Sequence, residues 1–191
     1  RVLATAANPD RRTLSVMEVL GDSVLEEEVV EGMQEAEDHD HAEGEAHEEE
    51  ADEHVWLSLR NARTACAEIA RVLGELDPDH AAEYQTNAEN YMAELEALDG
   101  EYTALAENAA RRTVLVGDRF PFRYLMDDYG LEYYAAFSGC SAETEASFET
   151  IAFLSGKTEE LALPCILTTE SPQPGVAETI RSNTASGDQT I

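Results

Sequence analysis

Apolar residues recur at intervals of three and four along residues 58–108, a spacing that predicts amphipathic helices. Ser58 is the expected N-cap of the first helix, and the apolar positions that follow it are Ala62, Cys66, Ile69, Leu73 and Leu76. Asp77-Pro78 interrupts the pattern, and a longer helix is predicted over residues 79–108. Its apolar positions are Tyr84, Ala88, Tyr91, Leu95, Leu98, Tyr102 and Leu105. This helix is expected either as a coiled-coil arm or as a single helix that crosses between two lobes.

From residue 113 onward, short apolar runs alternate with helical patterns. Strands are predicted over residues 113–117, 131–137 and 165–170, and helices over residues 118–130, 141–161 and 172–184. Strands that alternate with helices indicate parallel βαβ units, so an α/β lobe is predicted here. Ligands of such lobes bind beyond the carboxyl ends of the strands, which directs attention to the residues that follow each strand.

The part of the chain before residue 58 carries weaker signals. Residues 12–20 predict a short strand, or a strand that runs into a loop. Residues 35–53 are mostly acids and histidines and contain no large apolar side chain. Such a composition cannot bury enough apolar surface to order itself, so we expect a mobile loop there.

The charge composition narrows the class of partner. The chain carries 41 acidic and 12 basic residues, a formal net charge of −29 at pH 7. Nucleic acids and anionic membranes are bound by basic surfaces, so neither is an expected partner. The acidic excess favours cations as ligands, although part of it could equally reflect a salty habitat. No apolar run reaches the roughly 18 residues that a transmembrane helix needs, and the three cysteines lack CxxC spacing.

His54 lies where the acidic loop meets the first helical pattern. Neutral imidazole is the commonest protein ligand for divalent transition metals, and a good ligand needs rigid placement. Trp56, a large side chain of the kind usually buried, and the helix that follows are expected to provide that placement. The alternative is that His54 simply ends the acidic loop.

Three further histidines, His39, His41 and His47, lie among carboxylates within the loop. They are expected to be auxiliary donors that collect metal without fixed geometry. The alternative is a solvated charged loop that binds no metal. His80, near the start of the long helix, is expected to be an ordinary surface residue.

Carboxylates follow each of the predicted strands. Asp118 comes after the first strand, Glu143 and Glu145 come after the second, and Glu170 ends the third. Each could bind a metal, but acids are so frequent in this chain that chance explains much of the pattern. Asp118 could equally pair with Arg119 or cap the next helix, and Glu170 could accept hydrogen bonds from the turn that follows it.

Motifs of the common enzyme classes are missing from the sequence. It contains no GxSxG nucleophile elbow, no Walker phosphate loop, no GxGxxG and no HExxH. No serine or cysteine has a neighbouring histidine that could act as a general base. The sequence therefore argues against an enzyme, including a metal-dependent hydrolase.

Taken in order, these features resemble the zinc/manganese solute-binding proteins of bacterial ABC importers, the cluster A-I group. The family's phrase Asp-x-His-x-Trp-x-Ser-Pro is matched by Asp52, His54, Trp56 and Ser58, with Leu59 in place of the proline. The acidic loop, the long helix and the later segment VLVGDRFPFRYLMDDYGL complete a resemblance that covers nearly the whole chain. It implies an α/β fold with two lobes joined by one long helix.

On this resemblance, the chain is expected to be a fragment of such a two-lobed protein. Residues 1–57 would form the end of the N-terminal lobe and include the loop 35–53. Residues 58–110 would contain the interlobe helix 79–108, and residues 111–191 would form an incomplete C-terminal lobe.

The resemblance also makes His54 a metal ligand. The family's next ligand falls on Arg119, which has no lone pair to offer a metal, so Asp118 becomes the substitute candidate. Glu170, at a predicted strand end, is a further candidate. The family's first and last ligands are expected outside this fragment.

The resemblance implies an extracytoplasmic receptor, either periplasmic or tethered by a lipid anchor outside the fragment, that delivers zinc to an ABC permease. The imidazole-rich loop favours Zn²⁺ over Mn²⁺, which prefers oxygen ligands. The receptor is expected to be a monomer without catalytic activity. The alternative is a surface adhesion or interaction protein whose metal binding is incidental.

Overall fold

A computed structural model describes residue 8 and residues 11–34, 51–141, 145–169 and 175–191. Within these residues the helices are α1 (Val16–Leu20), α2 (Leu59–Leu76), α3 (Ala81–Glu107), α4 (Arg123–Tyr129), α5 (Phe148–Glu160) and α6 (Gly175–Asn183). The strands are β1 (Thr113–Phe120) and β2 (Glu132–Ser138). Single 3₁₀ turns lie at Gly21–Ser23, Val55–Leu57 and Pro78–His80. None of the described helices is both long enough and apolar enough to cross a membrane.

Two long helices, α2 and α3, follow one another and pack side by side. Ser58 caps α2 as predicted, because its hydroxyl accepts a hydrogen bond from the N–H of Asn61 at 3.1 Å. α3 continues through Gly100 without a break for 27 residues, a length of about 40 Å. Both predicted helices are therefore confirmed.

The apolar stripes of these two helices are only partly buried. Ala88 and Leu95 of α3 are buried, whereas Leu105 on the same stripe is exposed. Ile69 and Leu73 on the stripe of α2 are also exposed. The periodicity correctly predicts helices, but it does not predict how much of each stripe the described residues cover.

A parallel sheet organises the second half of the chain. β1 and β2 pair in parallel, with a register shift between Val116 and Arg119. Isolated parallel bridges extend the sheet on both sides, with Gln34 beside β2 and Leu167 beside β1. Since α4 connects the two strands, β1, α4 and β2 form the predicted parallel βαβ unit.

Apolar clusters cover both faces of this sheet. On one face, α5 packs against β2 and α6 packs against β1, around buried Leu115, Ala136, Phe137, Ile151, Leu154, Leu163, Ile166, Ala177 and Ile180. The other face is built on Val116 and Ala135 and is closed by Met126 of α4 and by Met33. The continuous apolar run of β1 therefore correctly indicates a strand that is covered on both sides.

Several predicted boundaries are wrong. Residues 12–20 contain α1 rather than a strand, because the Ser15 hydroxyl accepts from the N–H of Glu18 at 3.3 Å and caps a helix there. β1 continues to Phe120, where the sequence predicts a helix. α5 begins at Phe148, seven residues later than predicted, where Ser147 supplies the N-cap.

Residues 30–34 lie against the β1–β2 sheet. The N–H of Gln34 donates to the carbonyl of Ala136 at 3.0 Å, and Met33 is buried in the apolar cluster around Val116. The assignment of residues 1–57 to a first lobe stays a prediction.

The predicted loop 35–53 falls largely on residues 35–50, which lie outside the described part of the chain. Its final residues are held in place: Ala51 pairs antiparallel with Glu26. The N–H of Asp52 donates to the carbonyl of Leu25 at 2.8 Å. The chain therefore enters the His54 region from a fixed position.

Candidate metal site

His54 immediately precedes the 3₁₀ turn that leads into α2. Its ring lies against Gly139, which follows β2, and the same glycine lies close to Pro121, which follows β1. A Cβ atom on residue 139 would be 2.8 Å from Cε1 of His54 and 3.2 Å from its Nδ1. His54 is thus at the carboxyl edge of the β1–β2 pair, the edge where α/β lobes bind ligands.

A buried carboxylate holds the His54 ring. Oδ1 of Asp52 accepts a hydrogen bond from the backbone N–H of His54 at 2.8 Å, and the same oxygen lies 2.8 Å from ring Nδ1. Because an ionised carboxylate can only accept, Nδ1 carries the proton and Nε2 of the neutral ring keeps its lone pair. A histidine that gives its other N–H to a carboxylate is the usual form of a metal-bound imidazole.

The His54 side chain is partly exposed. Its side chain is 15% exposed, whereas that of Asp52 is 7% exposed. Within the described part of the chain, Nε2 makes no hydrogen bond. The residues present therefore suit one imidazole bond to a divalent metal that arrives from solvent.

Trp56 does not anchor this turn, which corrects the sequence prediction. Its side chain is 59% exposed, and its ring centroid lies 5.6 Å from that of His54. The anchor is its neighbour Val55, which is buried in a cluster with Leu20 and Tyr124. The alternation of buried and exposed side chains in the 3₁₀ turn places the smaller residue inside.

Asp118 ties two segments of the sheet together. Its Oδ1 accepts from the N–H of Arg119 at 2.8 Å. Its Oδ2 accepts from the N–H of Thr169 at 3.2 Å and from the Thr169 hydroxyl. Asp118 lies within β1 rather than after it, and these bonds explain why an aspartate suits this position without any metal. Its role as a ligand stays a prediction, since a carboxylate oxygen has further lone pairs.

Most of the other predicted ligands fall outside the part of the chain that the structure describes. His39, His41, His47, Glu143 and Glu170 lie outside the described residues, and Glu145 is exposed. His80 is exposed on the α2–α3 junction, as predicted, with Nδ1 2.8 Å from Oδ2 of Asp77. Across residues 11–34, 51–141, 145–169 and 175–191, no three His, Cys, Asp or Glu side chains form a group that could hold a metal.

The family follows from a comparison with known proteins. Residues 3–191 match the model of the family described as ZnuA, zinc-uptake complex component A, periplasmic. The chain belongs to the ZnuA family. The predicted resemblance to metal-binding ABC receptors is thereby confirmed.

Among curated relatives of this ZnuA-family chain is the zinc-binding lipoprotein AdcA of Streptococcus pneumoniae. It is 32% identical over 171 residues, which are 90% of this chain and 33% of AdcA. The chain thus spans about a third of that relative's length.

Solved structures show the fold. The periplasmic zinc-binding protein TroA from Treponema pallidum has a TM-score of 0.72 at 20% identity, with 96% of this chain and 60% of TroA covered. The laminin-binding protein Lmb of Streptococcus agalactiae has a TM-score of 0.65 at 26% identity, with 74% of this chain and 53% of Lmb covered. The predicted class, the two-lobed α/β solute-binding fold, is confirmed, and the chain covers part of it.

Cys140 and Glu53 each lie next to the His54 site of this ZnuA-family chain. Glu53 precedes His54, and Cys140 follows Gly139. The sequence patterns do not predict a contact between them. The Cys140 thiol donates to Oε1 of Glu53 at 3.4 Å. Cys140 is exposed, but partial desolvation of the sulfur, followed by the hydrogen bond to Glu53, raises its pKa to about 11. The only sequence signal was the position of Cys140 two residues after β2, because Glu53 is distant in sequence.

Proposed function

We propose that this protein is an extracytoplasmic receptor that binds Zn²⁺ and delivers it to the permease of an ABC importer. The observation that carries the proposal is the His54–Asp52 pair, in which a buried carboxylate orients a partly exposed imidazole at the carboxyl edge of the sheet. The zinc-uptake description of the family and the name of the relative AdcA support it.

In this proposal His54 binds zinc through Nε2. Asp118 and Glu170 are the candidate oxygen ligands, and His39, His41 and His47 are auxiliary donors. Zinc is favoured over manganese because the best-placed donor is an imidazole nitrogen.

The charge of the chain supports a cation as cargo. A net charge of −29 raises the local concentration of cations, and salt reduces this effect. Solute capture needs no catalytic step, so no enzymatic activity is proposed. The receptor is proposed to be a monomer. It would lie outside the cytoplasmic membrane, as a periplasmic protein or a lipoprotein.

A zinc titration against a competing chelator tests the proposal. The full mature protein, which includes the ligands expected outside this fragment, is compared with His54→Ala, with a variant in which a glycine–serine linker replaces residues 35–50, and with His80→Ala. His80 is a matched control because its Nδ1 also lies 2.8 Å from an aspartate oxygen, but at the exposed α2–α3 junction. Trp56, the single tryptophan of this chain and 5.6 Å from His54, provides the fluorescence signal.

We expect one tight zinc per chain that is lost in His54→Ala and retained in both the linker variant and His80→Ala. Equal zinc affinity of His54→Ala and the unchanged chain would contradict the proposal. Loss of tight binding in the linker variant alone would move the principal site to residues 35–50.

A second candidate function is adhesion. It is favoured by the likeness to Lmb, which is described as a bifunctional protein with adhesin and metal transporting activity. Binding of the chain to a laminin-coated surface, with and without chelator, tests it. Binding that survives both chelation and His54→Ala would support adhesion independent of metal, and no binding would exclude laminin as the partner.

A further inference from the structure

Tyr124 of α4 is a buried tyrosine whose hydroxyl joins three segments of the chain. Its side chain is 2% exposed. The hydroxyl donates to the backbone carbonyl of Asp52 at 2.7 Å and accepts from the N–H of Leu25 at 2.9 Å. Both hydrogen-bonding capacities of the phenol are therefore used, as expected of a buried tyrosine.

The two residues that Tyr124 contacts are also bonded to each other. The N–H of Asp52 donates to the carbonyl of Leu25 at 2.8 Å, and the neighbouring pair Glu26 and Ala51 forms an antiparallel bridge. Residues 25–26 and 51–52 thus form a paired stem on the two sides of residues 27–50. The hydroxyl of Tyr124 attaches this stem to α4.

Asp52 connects Tyr124 to His54, the candidate ligand. Its carbonyl is held by Tyr124, and its carboxylate holds both the backbone N–H and the ring Nδ1 of His54. A small shift of the Asp52 backbone would move the carboxylate away from Nδ1. The ring would then lose the contact that orients it and that keeps the proton on Nδ1.

We propose that Tyr124 is a positioning residue for metal binding: its hydroxyl holds Asp52, and through Asp52 it sets the orientation and tautomer of the His54 imidazole. The effect on metal affinity rests on the proposed function, whereas the coupling between Tyr124 and His54 does not. The alternative is that Tyr124 only fills the apolar cluster with Leu20 and Val55.

Tyr124→Phe separates these two roles, because it keeps the ring in the cluster and removes only the hydroxyl. Tyr129→Phe is a matched control. Tyr129 is also on α4 and is 7% exposed, and its hydroxyl donates to Oδ1 of Asp99 at 3.0 Å. The control therefore also removes a hydrogen-bonded tyrosine hydroxyl from α4, one bonded to a carboxylate rather than to two backbone groups, without touching Asp52.

The first measurement is the ¹⁵N spectrum of the histidine rings in the metal-free full chain, with the His54 signals identified by their loss in His54→Ala. The unchanged chain is expected to show His54 protonated on Nδ1 only. Tyr124→Phe should shift these signals toward an average of both tautomers, and Tyr129→Phe should leave them in place. The second measurement is zinc competition, in which Tyr124→Phe should bind about tenfold more weakly and Tyr129→Phe unchanged.

Unchanged His54 signals in a folded Tyr124→Phe protein would overturn the proposal, whatever the zinc affinity. If the unchanged chain binds no zinc tightly, the receptor function fails, while the ring spectra still decide the coupling.

If Tyr124→Phe does not fold, the coupling between Tyr124 and His54 is measured by changing His54 and observing Tyr124. His54→Ala should then shift the ¹³C signal of Cζ in Tyr124 and not that in Tyr129. The absence of that shift would overturn the proposal.

Discussion

The imidazole of His54 lies against the backbone of Gly139, so closely that a Cβ atom on residue 139 would come within 2.8 Å of Cε1. Contacts between side-chain and Cβ carbons normally exceed this distance, so only glycine leaves room for the ring in its present position. His54 is thus held from two directions, by the carboxylate of Asp52 on one ring edge and by the end of β2 beside it.

Gly139→Ala should therefore weaken zinc binding. The added methyl group would clash with the His54 ring and with the Pro121 backbone, so the ring could not keep its present position. We expect an affinity about tenfold lower, as for the loss of a contact that orients a metal ligand. Gly156→Ala in α5 is the control, because a Cβ there meets no atom within 4 Å. It should leave zinc affinity unchanged and stabilise the helix by about 0.5–1 kcal/mol. Chelator competition and thermal unfolding measure the two effects, and equal zinc affinities of the two variants would argue against the Gly139 contact.

Asp52→Asn should weaken zinc binding without removing it. The amide oxygen can still accept from Nδ1, but a neutral acceptor makes the imidazole a less basic ligand. Loss of such a partner typically lowers metal affinity by about 10- to 100-fold. The dissociation constant from chelator competition is the measurement. Asp22→Asn, at an exposed position in the first 3₁₀ turn, is the control and should bind as the unchanged chain does. A change of less than twofold in Asp52→Asn would mean that the buried carboxylate does not tune His54.

Sequence patterns locate His54 but not the residues around it. Its position between the acidic loop and α2 follows from local composition and from the spacing of Asp52, His54, Trp56 and Ser58. Gly139, which lies against the ring, and Tyr124, which holds Asp52, are far away in sequence and carry no local signal. Their roles depend on the pairing of β1 with β2 and on the attachment of the 25–26 and 51–52 stem, which only the folded chain shows.

The errors in element type have local physical causes. Residues 12–20 contain apolar β-branched residues that favour a strand, but the Ser15 cap commits the segment to a helix. The size of Trp56 predicts a buried side chain, yet the 3₁₀ turn directs Val55 to the core and Trp56 to solvent. The long helices are predicted correctly because their apolar period extends over many residues, so no single residue decides the element type.

The thiol of Cys140 should react slowly with iodoacetamide in the metal-free protein. Although Cys140 is exposed at the surface, partial desolvation of its sulfur, followed by the hydrogen bond to the Glu53 carboxylate, raises its pKa to about 11. The thiolate is the reactive form, and at pH 8 it would make up only about 0.1% of such a thiol. Peptide mass spectrometry of alkylated protein measures the rate, with the urea-unfolded chain as the reference for an ordinary thiol.

Glu53→Gln should accelerate this alkylation several-fold, since it removes the negative charge beside the sulfur. Glu132→Gln, at an exposed position at the start of β2, is the matched control. An unchanged rate in Glu53→Gln would mean that desolvation alone raises the pKa of Cys140.

Asp128 of α4 should contribute more to the stability of the folded protein at acidic pH than at neutral pH. Burial raises the pKa of its carboxyl, and the hydrogen bond from Ser58 and the charge of Arg60 only partly oppose this, while Asp99 and Asp127 add to it. Within the described residues its Oδ2 is buried without a hydrogen-bond partner. Because the folded-state pKa is above the unfolded one, the stabilising contribution is complete below the unfolded pKa. It is lost as pH rises through the folded pKa.

Asp128→Asn should therefore raise the melting temperature at pH 7.5, where the native carboxylate is charged and poorly solvated. An increase of about 2–4 °C would correspond to about 1 kcal/mol in a chain of this size. The gain should shrink as the pH falls and Asp128 itself becomes neutral. Asp127→Asn, at the exposed neighbouring position, should change little at either pH. If Asp128→Asn instead lowers the melting temperature most at pH 7.5, the ion pair with Arg60, 3.6 Å from Oδ1, outweighs the burial of the charge.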